Sequence, residues 1–276
     1  MFGTVRPARL RGVMMACMID THCHLTFPDL ANRLDEVIAG AHEAGVDRMI
    51  CVGTTPGDAE AAAALARRFE EVYATVGLHP HHVQSVTDRA ALHEVMARLG
   101  GERKVVAFGE MGLDFHYSDP PRHAQRKAFD WQLGIVSELG ADLPIIIHNR
   151  KASDEIISII RASGLGCERF VFHCFTGDAE EAERILETGA AISFTGIVTF
   201  PNAAEVAEAS DRVPLDRLMV ETDSPYLTPA PHRKVRPNEP RYVVDVARFL
   251  ARRRGMDLDS FVARMDANAR RFFALP

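Results

Sequence analysis

Histidine and acidic residues follow short apolar segments at several separate points in the 276-residue sequence. The first segment ends in His22-Cys23-His24. Because side chains alternate along an extended strand, the two imidazoles should point to one side and Cys23 to the other. Neutral imidazoles combined with carboxylates are typical ligands of transition metals. The candidate ligands at the ends of these segments are His22, His24, Glu110, His148, His173 and Asp223.

This set of side chains is larger than one zinc ion requires, because a single zinc takes three or four ligands. A carboxylate such as Glu110 can bridge two cations, and ions about 3.5–4 Å apart can activate a shared water and stabilise an oxyanion. The set therefore predicts two divalent ions per chain and a hydrolytic reaction. We expect Mg²⁺ or Mn²⁺ to support activity, with Zn²⁺ as an alternative. His79, in residues 77–80 (GLHP), also ends an apolar segment and is a candidate for contacting the substrate.

Eight apolar segments recur along the chain at intervals of roughly 30 residues, about the length of one βαβ unit. Segments with helical periodicity fill the gaps, and glycines follow several of them. Continuous apolar strands indicate burial on both faces and hence a parallel sheet. We therefore predict an α/β fold in one domain, a (β/α)8 TIM barrel with the metal centre at the C-terminal face of its strands. The predicted strands are 17–21, 48–52, 72–77, 104–108, 144–147, 170–172, 191–194 and 218–220.

The barrel is predicted to comprise residues 18–276 and to end in a helix over about 259–273 that packs on its exterior. A doubly wound open sheet is the alternative architecture, but it calls for a G-x-G-x-x-G loop after an early strand, and the sequence has none. Residues 1–17 are predicted to be an N-terminal extension, either disordered or the result of a start codon placed too far upstream.

Composition excludes several classes of protein. A hydrophobic content of 47% with 25% charged residues excludes a disordered or fibrous chain. No apolar run reaches the roughly 18 residues needed to span a bilayer, so no membrane partner is expected. The net charge of -6 argues against non-specific coating of nucleic acid, yet permits its cleavage at a metal site. The 5 cysteines include no C-x-x-C pair, which predicts a reducing compartment and a cytoplasmic location.

Four segments of the sequence resemble those of a known family. They are residues 19–25 (IDTHCHL), 109–115 (GEMGLDF), 173–177 (HCFTG) and 221–227 (ETDSPYL), and residues 238–240 (NEP) match a further family segment. Together they resemble the TatD family of metal-dependent deoxyribonucleases, within the amidohydrolase-like barrel superfamily. The similarity extends from about Met18 to the C-terminus, and residues 1–17 have no counterpart in it.

The resemblance implies a role for each matching side chain. The histidine pair of the first segment would bind one metal ion, and Glu110 would bridge it to a second ion held by His148 and His173. Asp223 would bind the first ion and orient or deprotonate the attacking water. The family thus implies Asp223 and Glu110 as catalytic residues. It also implies a phosphodiesterase acting on DNA, as a 3′-to-5′ exonuclease with single-stranded ends as substrate.

A phosphodiester substrate also needs positive charge outside the metal centre. Arg150 lies just after His148, and a basic loop that includes Arg233 and Arg236 follows the eighth predicted strand. Loops near strands seven and eight of such barrels often bind phosphate, so we expect these three arginines to contact the substrate. An ordinary solvated face explains the basic loop equally well. The protein is expected to be a monomer.

Two other functions remain open. One is an amidohydrolase-like enzyme acting on a small amide, ester or aminoacyl substrate on the same scaffold. Many two-metal members of that superfamily bridge their ions with a modified lysine at strand four, where this chain has Glu110, and this difference favours the TatD family. The other is a non-catalytic metal-binding barrel. The complete ligand set argues against it, because unused ligands have no packing reason to occur in this order.

Overall fold

The computed structural model describes residues 17–276, so the predicted extension lies outside the described residues except for Cys17. Eight parallel strands, ordered around the sheet as they are along the chain, alternate with helices, which confirms the predicted (β/α)8 barrel. The strands are β1 (Met18–Cys23), β2 (Val46–Cys51), β3 (Val72–Val76), β4 (Val105–Asp114), β5 (Ile145–Arg150), β6 (Phe170–Phe172), β7 (Ala191–Phe194) and β8 (Leu218–Val220). The helices are α1 (Pro28–Ala31), α2 (Leu34–Glu43), α3 (Pro56–Arg68), α4 (Arg89–Gly100), α5 (Arg122–Leu139), α6 (Ser153–Ala162), α7 (Ala179–Leu186), α8 (Ala204–Arg212), α9 (Val243–Arg253) and α10 (Leu258–Phe273).

The barrel closes where β8 meets β1. A single parallel bridge joins Cys23 to Ser224, just beyond the end of β8. The buried Asp20 adds a side-chain connection, because its carboxylate accepts hydrogen bonds from the backbone N–H of Thr222 at 2.8 Å and from the Thr222 hydroxyl at 2.6 Å. Burial raises the pKa of Asp20 to about 8, although these hydrogen bonds oppose the shift. The closure brings the end of β1 next to the segment that follows β8.

The N-terminal end of the barrel is filled by apolar side chains. Ile19, Tyr73 and Met219 belong to an inner cluster that also includes Phe273 and Leu275 from the end of the chain. The predicted final helix is present as α10, but its last turn seals the bottom of the barrel as well as packing outside the strands. Active sites of such barrels lie at the opposite, C-terminal mouth.

Strands β4 and β5 extend furthest past their predicted ends at residues 108 and 147, which are wrong. β4 continues to Asp114, and its residues 112–114 pair with residues 148–150 of β5. Gly112 permits this close approach with φ of +143°, since a Cβ there would lie 2.1 Å from the His148 carbonyl oxygen. Glu110 and His148 therefore lie within paired strands and not in loops.

Candidate metal centre

The first group of donor atoms lies where β1 approaches the end of β8. Nε2 of His24 is 3.2 Å from Oδ1 of Asp223, and Nε2 of His22 is 3.7 Å from the same oxygen. The two Nε2 atoms are 3.3 Å apart, so both rings of the histidine pair face one point. Oε2 of Glu110 completes the group at 3.4 Å from His22 Nε2. Cys23 points away, with its thiol directed at the carbonyl of Ile50.

The second group surrounds the other oxygen of the same glutamate. Oε1 of Glu110 lies 2.6 Å from Nε2 of His173 and 2.7 Å from Nδ1 of His148. His79 also reaches this group, with Nε2 3.4 Å from Oε1 of Glu110 and 3.1 Å from Nδ1 of His148. The structure thus brings all six predicted ligands together and adds His79 to them.

The proton of His79 distinguishes this ring from the other imidazoles. Its Nδ1 accepts a hydrogen bond from the backbone N–H of His81 at 3.0 Å, so the neutral ring has its proton on Nε2. Burial, opposed by Glu110 and assisted by His148, lowers the pKa of His79 to about 4. His79 therefore offers a neutral N–H donor to the centre, whereas a metal ligand would offer a lone pair.

Carboxylates behind the centre hold two of its histidines. Nε2 of His148, the nitrogen that faces away from Glu110, lies 3.1 Å from Oδ2 of Asp114. His81 approaches the same oxygen at 2.8 Å. A carboxylate on the remote nitrogen of a histidine is the usual support of a metal ligand, because it fixes the orientation of the ring and raises its basicity. Glu221 lies behind His173, with a carboxylate oxygen 3.4 Å from Nδ1 of that ring.

Sequence reasoning did not assign a role to Asp114 or His81. The available signal was spacing, because Asp114 is four residues after Glu110 and an even spacing places both side chains on one face of a continuous strand. That signal is visible only once β4 is known to extend past Glu110. His81 had no comparable signal, since it lies in a 3₁₀ turn (Pro80–Ser85) beyond β3.

The backbone at Asp223 has an uncommon conformation. Its φ of +53° lies in the left-handed region, which residues other than glycine seldom adopt. The N–H of Asp223 donates to the carbonyl of His22 at 2.9 Å, which ties the residue to the histidine pair. The carboxylate remains 15% exposed at the mouth, whereas the side chain of His22 is fully buried. Of the two carboxylates in the first group, that of Asp223 is therefore the one that an incoming substrate can reach.

The charges of the centre are strongly coupled. Burial alone would raise the pKa of Glu110, but the neighbouring histidines His173 and His79 and the hydrogen bond from His148 hold it well below its usual range. The pKa of Asp223 is lowered against burial in the same way, chiefly by its hydrogen bond with His24. Both carboxylates are therefore ionised at neutral pH.

Three of the imidazoles, those of His24, His148 and His173, show the reciprocal effect, a raised pKa. Burial disfavours their charged form, but the charge and hydrogen bond of Glu110 raise the pKa of His173 well above its ordinary value, and Asp223 raises the pKa of His24. Ionised carboxylates facing basic nitrogens are the arrangement in which a divalent cation can replace ring protons. The donor chemistry of both groups, imidazole nitrogen with carboxylate oxygen, fits such a cation.

The three predicted substrate-binding arginines lie on segments at the same mouth. Arg150 ends β5, with its guanidinium 5.4 Å from the ring centroid of Tyr117. Arg233 stacks 3.7 Å from the centroid of Phe200, and Arg236 donates to the hydroxyl of Thr228 at 3.0 Å. Within residues 17–276, none of the three forms a hydrogen bond or ion pair with a predicted metal ligand, and their contact with substrate stays a prediction.

Comparison with known proteins gives the family of this chain. Residues 19–274 match the sequence profile of the TatD related DNase family. The chain belongs to this family. Its TatD-family relatives include the uncharacterised metal-dependent hydrolase YabD of Bacillus subtilis, 37% identical over 260 residues that cover 94% of this chain and 99% of YabD. The 3′-5′ ssDNA/RNA exonuclease TatD of Erwinia tasmaniensis is 37% identical over 265 residues, 94% of this chain and 100% of that protein.

A solved structure agrees with this assignment. The TatD homologue YJJV of Escherichia coli superimposes with a TM-score of 0.88 at 29% identity, covering 95% of this chain and 100% of YJJV. The chain is thus a TatD-family metal-dependent hydrolase, as the sequence motifs predicted. None of the helices in residues 17–276 of this TatD-family protein has the length and hydropathy to cross a membrane.

Proposed function

We propose that this TatD-family hydrolase is a 3′-to-5′ exonuclease that cleaves phosphodiester bonds of single-stranded DNA with two divalent ions. The main support is the position of Glu110, whose two carboxylate oxygens face two separate groups of imidazoles. A carboxylate so placed suits a bridge between two cations. The names of several relatives, such as the exonuclease of Erwinia tasmaniensis, favour nucleic acid as the substrate.

The proposed ions divide the ligand set at Glu110. The histidine pair of β1 and Asp223 would hold one ion, while His148 and His173 would hold the other. Mg²⁺ or Mn²⁺ would support activity, and Zn²⁺ is the alternative. Two such ions would lower the pKa of a water molecule and neutralise charge on the non-bridging phosphate oxygens.

The protein's own groups provide orientation and proton transfer. Asp223 is ionised and reachable from solvent, so its carboxylate can orient the attacking water and accept its proton. Glu110, His22 and His173 are buried and would fix the point of attack. His79, with its proton on Nε2, can donate a hydrogen bond to a phosphate oxygen that develops charge. We therefore retain His79 as a substrate contact.

Positively charged side chains at the mouth would bind the rest of the DNA strand. Arg150, Arg233 and Arg236 are exposed there, and we assign them to phosphates on either side of the scissile bond. The formal charge of -6 does not oppose this, because only the mouth has to attract the polyanion. We also propose that the protein is a cytoplasmic monomer. The proposed location follows from its five cysteines, which are all free.

One comparative assay tests this proposal. Short single- and double-stranded DNA and RNA labelled at the 5′ end are incubated with the protein and Mg²⁺ or Mn²⁺, beside a panel of amides and esters. Stepwise shortening of single-stranded DNA that stops on chelation is the expected result. Cleavage of the small amides or esters alone would favour an amidohydrolase-like function. No turnover of any substrate, with metal still bound, would favour a non-catalytic barrel.

Matched arginine variants test the substrate contacts. Arg150→Ala and Arg233→Ala should weaken DNA cleavage and reduce its dependence on salt, because each removes one phosphate contact. Arg252→Ala is the control, since Arg252 is an exposed arginine on α9, outside the mouth. Equal effects in all three variants would show that the mouth arginines contribute only net charge.

A further inference from the structure

The exposed large hydrophobic side chains of the described chain all lie at the catalytic mouth. They are Tyr117, Tyr226 and Val235, which are 50%, 54% and 39% exposed. Tyr117 follows β4, and the other two follow β8. Because the strands are arranged around the barrel in chain order, β4 and β8 lie on opposite sides of the mouth. A tyrosine ring is therefore presented to solvent on each side of the metal centre.

The tyrosine after β8 is connected to the first group of ligands. The backbone N–H of Tyr226 donates to the carbonyl of Asp223 at 3.0 Å. Its ring meets Phe27 edge-on with the centroids 6.2 Å apart, and Phe27 in turn stacks on His24 at 4.6 Å. The side chain amide of Asn238 donates to the carbonyl of Tyr226. We call Tyr226 and Phe27 the β8 platform, which is held in place beside His24 and Asp223.

The tyrosine after β4 is connected to the second group. Its ring meets His81 edge-on at 5.4 Å, and His81 is joined through Asp114 to His148. The guanidinium of Arg150 lies 5.4 Å from the same ring centroid. We call Tyr117 and Arg150 the β4 platform. It combines an exposed aromatic surface with a positive charge, the pair of features by which proteins bind single-stranded nucleic acid.

We propose that a single strand of nucleic acid crosses the mouth between these platforms. Its scissile phosphate would lie at Glu110, and one flanking nucleobase would stack on each tyrosine. This inference rests on the proposed nuclease function and adds the contacts that position its substrate. Every nucleobase has an aromatic face, so stacking tolerates any sequence and does not discriminate between ribose and deoxyribose. Bases already stacked within a duplex would be poor ligands, which predicts a preference for single strands.

The experiment removes one ring and one base at a time. Oligonucleotides are prepared with an abasic residue on the 5′ or on the 3′ side of the scissile phosphate, and kcat/KM is measured for wild-type protein, Tyr226→Ala and Tyr117→Ala. On the intact strand, kcat/KM of each alanine variant should fall by roughly 5- to 150-fold, which corresponds to the loss of one base stacked on an aromatic ring. When the base that stacks on the substituted tyrosine is missing, the alanine variant and the wild-type protein should have the same kcat/KM. One variant should show this on the strand that is abasic 5′ of the scissile phosphate, and the other on the strand that is abasic 3′ of it.

Two controls separate stacking from other roles of these residues. Tyr226→Phe and Tyr117→Phe keep the ring and should retain near wild-type rates. Val235→Ala shortens the third exposed side chain and should change neither rate nor preference. A loss that persists on the abasic strands, a response of both tyrosines to the same position, or an equal loss in Val235→Ala would overturn the proposal.

A binding measurement distinguishes failure of this inference from failure of the nuclease function. Strands with 2-aminopurine on either side of the same phosphate are mixed rapidly with the metal-loaded protein, and fluorescence is recorded before turnover occurs. Stacking quenches the fluorescence, and each Tyr→Ala variant should abolish quenching at one position only. Quenching without any cleavage under Mg²⁺ or Mn²⁺ would contradict the nuclease function and support the platforms. Cleavage that neither tyrosine variant alters would contradict the platforms alone.

Discussion

Oε1 of Glu110 lies 2.6 Å from Nε2 of His173, while the other oxygen of the same carboxylate is directed at the histidine pair of β1. The two groups of donor atoms therefore share one acidic side chain. Glu110 is buried in β4, so it cannot turn away to serve only one group. Removing its charge should weaken both groups together.

Glu110→Gln tests this shared role directly. An amide keeps the size of the side chain but presents an NH₂ donor to one of the groups, which repels a cation. We expect the bound metal to fall from about two ions per chain to one or fewer, and the hydrolytic rate to fall by at least roughly 100-fold. Elemental analysis of dialysed protein measures the first effect. Glu180→Gln, an exposed carboxylate on α7, is the control, and a variant at Glu110 that kept two ions would rule out the bridge.

Asp223→Asn should separate catalysis from folding. Asparagine tolerates positive φ about as well as aspartate, so the backbone at φ of +53° has no reason to rearrange. The amide cannot accept the proton of the attacking water, and we expect a loss of about 100- to 10,000-fold in rate with little change in the melting temperature. Asp216→Asn, on the surface before β8, should retain full activity. An unchanged rate in Asp223→Asn would refute the assignment of the proton acceptor.

Asp114→Asn probes the support behind His148. The ionised carboxylate of Asp114 contacts the remote nitrogen of that ring, and loss of such a partner commonly weakens metal affinity about 10- to 100-fold. We expect this reduction in a competition titration with a chelator, with the Glu110 contacts otherwise preserved. His81→Ala removes the second partner of Asp114 but leaves the contact between Asp114 and His148 in place, so its effect on metal affinity should be smaller. Equal affinities in wild type and Asp114→Asn would show that the ring is held by packing alone.

Much of the barrel could be predicted from the sequence because its strands are short, apolar and separated by about one βαβ unit. The candidate ligands could be identified because they lie near or just beyond the C-terminal ends of those strands, and every parallel strand of a barrel ends at the same mouth. His22 illustrates this, since its place in an extended segment fixed which way its ring points.

The contacts behind the ligands could not be predicted in the same way. Residues 148–150 are polar, and Gly109 and Gly112 interrupt the apolar pattern of β4, so both strands seemed to end too early. The meeting of Asp114 with His81 depends on the path of the turn after β3, which no local pattern encodes. The position of Phe273 inside the barrel is likewise a result of tertiary packing, since periodicity alone marks only a buried helix face.

Phe273 and its neighbour Phe272 provide a matched pair for the seal at the bottom of the barrel. Phe273 is 2% exposed within the inner cluster, whereas Phe272 is only partly buried and packs against that cluster from outside. Phe273→Ala would open a cavity among β-branched and aromatic side chains that cannot collapse, because the strands fix them. We expect the free energy of unfolding to fall by about 3–5 kcal/mol, and by clearly less for Phe272→Ala.

Chemical denaturation followed by circular dichroism measures both values under identical conditions. The residual activity of Phe273→Ala well below its melting temperature should stay close to wild type, because the seal lies at the end of the barrel opposite to Glu110 and Asp223. Equal destabilisation by the two substitutions would mean that α10 stabilises the barrel through its outer contacts. A loss of activity in Phe273→Ala without a loss of stability would show that the bottom of the barrel influences the metal centre. That result would contradict the assignment of a purely structural role to Phe273.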